Sequence, residues 1–236
     1  MGSFGTHAVN VSLFSSMPYD PVKDFAPIIL VLEAEGLLVV HPSVPAQSVL
    51  DLIAYGRAHP GKLTYASAGM GTASHLAGEL FKTMAKVEMT HVPYKGNVPA
   101  ITDLLAGQTS LLFGTMPTVL PHAKAGKLRT LAITSENRSA SAPEIPTFSE
   151  SGVPALKDYA VEVYYGVMAR SGTPADIVAR LEGDLRKVLA MPEFAQRIST
   201  AGIDMFPRSA REMAAIMSAD VARFREVIRE AGIRPE

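Results

Sequence analysis

The stretch Leu63–Gly96, LTYASAGMGTASHLAGELFKTMAKVEMTHVPYKG, constrains the fold more than any other part of the chain. It opens on the apolar run Leu63-Thr64-Tyr65-Ala66 and passes into small residues, Ser67-Ala68-Gly69-Met70-Gly71-Thr72. From there His75 or Leu76, Leu80, Phe81 and Met84 return on one face at helical spacing. A second apolar run, Met89–Val92, leads into Pro93-Tyr94-Lys95-Gly96. Strand, Gly/Ser/Thr loop, helix and strand in that order make a βαβ unit. The loop offers backbone N–H groups and hydroxyls at a helix N-terminus, which favours an anion. An anionic ligand is therefore the first functional expectation.

The rest of the chain reads in the same grammar. Phe25–Val31 and Gly36–His41 are apolar strands, with Pro42-Ser43-Val44-Pro45 as punctuation. Ser48–Ala58 is an amphipathic helix stopped by His59-Pro60-Gly61. Asn97–Gly107 and Thr118–Ala125 read as helices, and Leu111–Phe113, Arg129–Thr134 and Val161–Ala169 as strands. Three helical patterns close the chain: Pro174–Ala190, Pro192–Ala201 and Ala210–Ala231. Alternating strands and helices predict an α/β fold with a largely parallel sheet. A chain of 236 residues is long enough to bury a sizeable core, as one large or two small domains.

Composition removes several function classes. Net charge is -1 and basic residues are scattered, which argues against nucleic acid or an anionic membrane as a partner. With no cysteine there is no thiolate chemistry, disulfide or Cys-based zinc site. No apolar run reaches about 18 residues, so no spanning helix is expected. Met1-Gly2-Ser3-Phe4 lacks the basic start of an export signal.

Three lookalikes fail on detail. Gly56–Leu63 approaches a phosphate-binding P-loop but ends on Leu63, and a helix precedes it where a strand should. Gly69-Met70-Gly71 begins a dinucleotide fingerprint whose third glycine is Ser74. Tyr65–Gly69 resembles a nucleophile elbow without its first glycine. Ser67 would be its nucleophile and His75, His91 or His122 its base. The six histidines form no His-x-His or His-x3-His pair, so no metal site is expected. His75 falls in the first helical turn, where the dipole favours a neutral imidazole.

Taken in order, several longer motifs resemble the solute-binding receptors of tripartite tricarboxylate transporters, the Bug family. They are Tyr19–Pro27, Thr64–His75, His91–Gly96, Leu120–Arg129, Ala132–Ser135, Tyr165-Gly166 and the ending Ala231–Glu236. The resemblance implies a periplasmic, two-lobed α/β fold of the type II binding-protein kind, holding a small organic carboxylate and passing it to membrane permease subunits. It implies one lobe from residues 1–40 and 161–236 and another from 41–160, with hinge strands near Leu38–His41 and Val161–Gly166. Family chains begin earlier, with an export signal and a first strand, so the first lobe is expected to be incomplete. Where the family often carries Asp, this chain has Phe113-Gly114-Thr115, and Tyr164 stands for a common Trp.

On that resemblance the expected ligand contacts are Ser67, Ala68, Gly69, Thr72 and Ser74 as donors, with His75 and Tyr94 shaping a cleft. Gly114 and Thr115 would form its floor, and Gly2, Ser3 and Thr6 its opposite wall. No catalytic residue, cofactor or metal is expected. The alternatives are a Ser67-dependent hydrolase, a regulatory effector-binding domain, and a truncated receptor fragment without function.

Overall fold

The structure, a computed structural model, describes residues 1–200, 203 and 205–233; the expected helix end at Ala201 and the closing Arg234-Pro235-Glu236 lie outside them. The first elements in chain order are β1 (Gly2–Ser3), α1 (Asn10–Leu13), β2 (Phe25–Ala34), β3 (Gly36–Val40) and α2 (Val49–Ala58). Then follow β4 (Thr64–Ser67), α3 (Ala73–Ala85), β5 (Thr90–Pro93), α4 (Asn97–Leu105), β6 (Leu111–Thr115), α5 (Met116–Lys124) and β7 (Arg129–Ile133). The chain closes with β8 (Val163–Arg170), α6 (Ala175–Leu189), α7 (Pro192–Thr200), β9 (Arg208–Ser209) and α8 (Ala210–Glu230). These elements form two units, Met1–Ala34 with Val163–Glu236, and Glu35–Glu162. Among the described residues no helix is long and apolar enough to cross a membrane.

The first unit is built on a sheet of order β1-β8-β2-β9 in which every pairing is antiparallel. The expectation of a largely parallel sheet fails here. β8 returns to β2 only after the whole second unit, so no short helical crossover forces a parallel register. Ile28, Ile29 and Leu189 centre one core cluster, packed by Val167, Val178, Leu185 and Phe194. Phe4 is buried with its ring edge-on to Tyr164 and Phe224, at 6.0 and 4.8 Å between centroids. A π-helical turn, Gly5–Val9, runs into α1 where sequence periodicity gave no clear element. α8 starts on a capping box: Ser209 accepts from the Glu212 N–H while the Glu212 carboxylate takes the Ser209 N–H.

The second unit carries a sheet of order β5-β4-β6-β3-β7. β4 pairs parallel with β5 and β6, and β3 runs antiparallel between β6 and β7. Residues 36–40, expected in the first lobe, therefore belong to the second sheet. Leu37, Leu38, Val39 and Val40 are all fully buried, as a central strand covered on both faces requires. The chain passes between units at Ala34/Glu35 and Glu162/Val163. α2 is capped by Ser48, whose hydroxyl accepts from the Asp51 N–H at 3.1 Å.

Because β4, β5, β6 and β7 point the same way, their carboxyl ends and the starts of α3, α4 and α5 share one edge of this sheet. α3 is held there by close packing at Gly78. A methyl group on Gly78 would collide with the fully buried Tyr65 ring. Overpacking of this kind costs about 1–3 kcal/mol, and the helical gain of Ala over Gly returns only about 1 kcal/mol. Gly78→Ala is thus expected to lower stability by about 1 kcal/mol, read as a fall in the urea midpoint. An unchanged midpoint would show that Tyr65 has room to move.

Candidate functional site

The loop after β4 owes its shape to two glycines. Gly69 (φ +134°) and Gly71 (φ +69°) occupy backbone conformations that L side chains rarely adopt, and a Cβ on Gly69 would lie 3.2 Å from the Tyr94 carbonyl oxygen. Between them the chain turns onto α3, whose N-cap is Thr72. The turn is pinned to β5 and its following loop by Tyr94 N–H to Ser67 O and Gly96 N–H to Ala68 O, both 3.0 Å.

The hydroxyls of this loop are spent on the loop itself. Thr72 Oγ1 donates to Gly69 O at 2.7 Å, which leaves Ser74 to donate to Thr72 Oγ1 at 3.0 Å. Ser74 Oγ accepts from the Ala68 N–H at 3.0 Å, and Ser67 Oγ accepts from the Gly69 N–H at 3.1 Å. Ser67 is fully buried, and its Oγ lies 2.6 Å from His91 Nε2 and 3.1 Å from Gly69 O. What remains at the helix start is backbone. Among the described residues no acceptor meets the N–H groups of Ala73, Ser74 and His75, while the Leu76 N–H makes the first helical bond to Thr72 O. These N–H groups form the anion-seeking surface, with the positive end of a 13-residue helix behind them.

Beneath the loop lies a polar stack that sequence reasoning saw only in pieces. His75 and His91 stack with centroids 4.0 Å apart and planes at 9°, and the Tyr65 ring lies nearly parallel to both, 4.8 Å from His91 and 6.4 Å from His75. The Tyr65 hydroxyl donates to Glu79 in a short bond, Lys82 Nζ contacts both Glu79 oxygens at 2.8 and 2.9 Å, and His75 Nε2 lies 4.0 Å from the same carboxylate. Burial keeps the His75 ring less basic than usual; Glu79 pulls against that and Lys82 adds to it. Burial, reinforced by His75, pushes His91 down to about 4. Glu79 stands four residues after His75 on the buried face of α3, and that spacing was the available signal.

The remaining expected residues fall in three places. Tyr94 donates to Asp103 Oδ2 at 2.8 Å, tying the loop after β5 to α4, and burial with that bond raises its hydroxyl to about 12. Gly114 is buried at the end of β6, where a side chain would strike Val119, and Thr115 caps α5. The Thr118 hydroxyl donates to Thr115 O at 2.7 Å, so the Thr115 hydroxyl is the donor in the 3.0 Å contact with Thr118 Oγ1. Ser67, Ala68, Gly69, Thr72, Ser74, His75, Tyr94, Gly114 and Thr115 thus share the carboxyl edge of the second sheet. Gly2, Ser3 and Thr6 sit in the first unit. There the Ser3 N–H donates to Thr6 Oγ1 at 3.1 Å, and Thr6 Oγ1 lies 2.8 Å from His7 Nδ1.

Among the described residues the Ser67–His91 contact is the only trace of the hydrolase alternative. A serine nucleophile needs access to substrate and a base oriented by a third group. Ser67 is sealed from solvent and hydrogen-bonded into its own turn, and among the described residues no carboxylate hydrogen-bonds to His91. The pair holds the loop in place instead.

Known proteins resemble this chain in sequence and in fold. The chain is 32% identical over 217 residues to a protein of the tcbD–tcbE intergenic region of Pseudomonas sp. strain P51, covering 92% of this chain and 64% of that protein. It is 31% identical over 227 residues to BugT of Bordetella pertussis, covering 96% of this chain and 69% of BugT. It therefore spans about two-thirds of the length of these relatives. The structure of R. palustris Rpa4515 with adipate superposes with a TM-score of 0.84 at 36% identity, over 100% of this chain and 78% of that one. MatC of Rhodopseudomonas palustris with bound malate gives a TM-score of 0.78 at 28% identity, over 96% and 77%. The description "tripartite tricarboxylate transporter family receptor" matches residues 2–233, and the chain belongs to that family.

Proposed function

We propose that this protein is a periplasmic solute receptor that captures a small organic dicarboxylate and delivers it to the permease subunits of a tripartite tricarboxylate transporter. The observation that carries this is the trio of unaccepted N–H groups at Ala73, Ser74 and His75, set at the positive end of α3 on the carboxyl edge of the second sheet. One carboxylate of the ligand would be held there by backbone donors, each net hydrogen bond contributing roughly 0.5–1.5 kcal/mol. The Thr72 and Ser74 hydroxyls act indirectly, by fixing the turn that presents those N–H groups. Adipate in the Rpa4515 structure and malate in MatC support the ligand class. In the first unit, Ser3 and Thr6 are proposed as further polar ligand contacts beside Gly2.

Selectivity should favour simple organic acids over acidic amino acids. Gly114 brings no carboxylate to meet an ammonium group, and no Arg or Lys lies within the Ser67–Thr72 loop. Calorimetric titration with mono-, di- and tricarboxylates, glutamate and aspartate tests this. Dicarboxylates are expected to bind at least about tenfold more tightly than either amino acid. Thr72→Ala with Ser74→Ala should weaken binding about tenfold, while Lys95→Ala, at an exposed position, should stay within about twofold. Binding confined to glutamate or aspartate, or no binding across the panel, would overturn the proposal.

A further inference from the structure

We propose that His75 is a positioning residue whose unprotonated Nδ1 sets the shape of the ligand loop, so that the loop is competent only while this imidazole is neutral. The Gly71 N–H donates to His75 Nδ1 at 3.0 Å. For Nδ1 to accept, the ring proton must sit on Nε2, and that nitrogen faces Glu79 Oε1 at 4.0 Å. The ring is 2% exposed and cannot swing to solvent without opening the stack. Gly71 is the last positive-φ residue before α3, so its N–H fixes where the chain enters the helix. His91, stacked on His75, holds the other end of the loop through Ser67 Oγ. Two imidazoles in contact therefore grip the loop at both ends.

Protonating His75 would place an N–H at Nδ1 facing the Gly71 N–H, and the bond that shapes the turn would become a repulsion. The groups around the ring bear on that step from each packed element. Glu79 and Lys82 come from α3, Tyr65 from β4, and His91 from β5. Lys82 sits on both Glu79 oxygens, so the carboxylate does not act as an unshielded counter-ion for an imidazolium. Burial likewise favours the neutral ring.

This inference uses the carboxylate reading for its binding readout, and a ligand-free measurement separates the two. In the unliganded protein, nitrogen NMR of the ring is expected to show His75 as the Nε2–H tautomer at about pH 7. Gly71 amide exchange should be at least about tenfold faster in His75→Leu than in the unmodified protein. His75→Asn supplies an acceptor near the Nδ1 position that does not titrate, and should restore Gly71 protection. With adipate as the probe, the affinity ratio of unmodified protein to His75→Asn cancels protonation of the ligand itself. That ratio is expected to fall at least about threefold as the pH is lowered from about 7 until the His75 ring protonates, a point read from the same nitrogen NMR. An Nδ1–H tautomer, equal Gly71 exchange in His75→Leu, or a pH-independent ratio would each overturn the proposal. If adipate does not bind at all, the tautomer and exchange results still decide it.

Discussion

Phe148→Ala is expected to lower stability by about 3–5 kcal/mol, the range for emptying a buried aromatic site. Phe148 is fully buried and lies 4.0 Å from the Tyr159 ring, 5.9 Å from Phe81 and 6.4 Å from Phe113, centroid to centroid. Phe81 comes from α3 and Phe113 from β6, so the cluster clamps the helix that opens at the ligand loop onto the strand that ends at Thr115. The segment carrying Phe148 and Tyr159 has little structure of its own, only 3-10 turns at Ser149–Ser151 and Pro154–Leu156. It is held by these rings and by the Tyr159 hydroxyl, which donates to Ala77 O at 3.0 Å. Removing Phe148 therefore leaves a cavity and also loosens the segment that fills the space over α3. Urea unfolding measures the loss, with Phe148→Leu as a milder comparison. A loss under about 1 kcal/mol would mean that the cluster repacks.

How far the sequence foretold this depends on the range of the interactions. The βαβ unit from Leu63 to Gly96 was legible because its signals are local: the helical return of Leu76, Leu80 and Phe81, and glycines where the backbone turns. The small-residue loop likewise marked the carboxyl edge of the second sheet. The antiparallel pairing of β2 with β8 was not legible. It joins residues such as Leu30 and Gly166 across the whole second unit, and no local pattern encodes the direction of a partner so distant. The placement of residues 36–40 failed for a similar reason, since an apolar run does not say which sheet it enters. Hydroxyl chemistry misled in a more instructive way. Ser67, Thr72 and Ser74 look like ligand donors by composition, but buried hydroxyls satisfy the nearest backbone first, and the turn consumes their protons. Glu79 was hidden, and His91 was visible only as a candidate base for Ser67, because the role of a buried polar residue is recognisable only from its partners.

Glu79→Ala is expected to cost about 2–4 kcal/mol and to make His75 and His91 harder to protonate. Glu79 is 6% exposed on the buried face of α3, and three groups depend on it. The Tyr65 hydroxyl, on a fully buried ring, loses its acceptor, which alone costs about 1–3 kcal/mol. Lys82 loses a partner on both carboxylate oxygens, at a smaller cost because its side chain is 28% exposed and reaches water. The deleted methylene and carboxylate leave further space beneath His75. Glu79→Gln keeps an acceptor for Tyr65 and should lose only about 1 kcal/mol. The protonation effect has a definite sign. The Glu79 charge raises the basicity of both His75 and His91 against burial, so removing it lowers both further. Each ring then binds fewer protons in the folded protein than in the unfolded chain over a wider acid range. The variant should accordingly lose stability more steeply than the unmodified protein as pH falls below about 6.5, the ordinary histidine value. Urea midpoints across that range, with NMR titration of the two rings, check both halves. A His75 ring that becomes more basic in Glu79→Ala would mean that Lys82, released from its partner, moves away from the stack and matters more than the carboxylate.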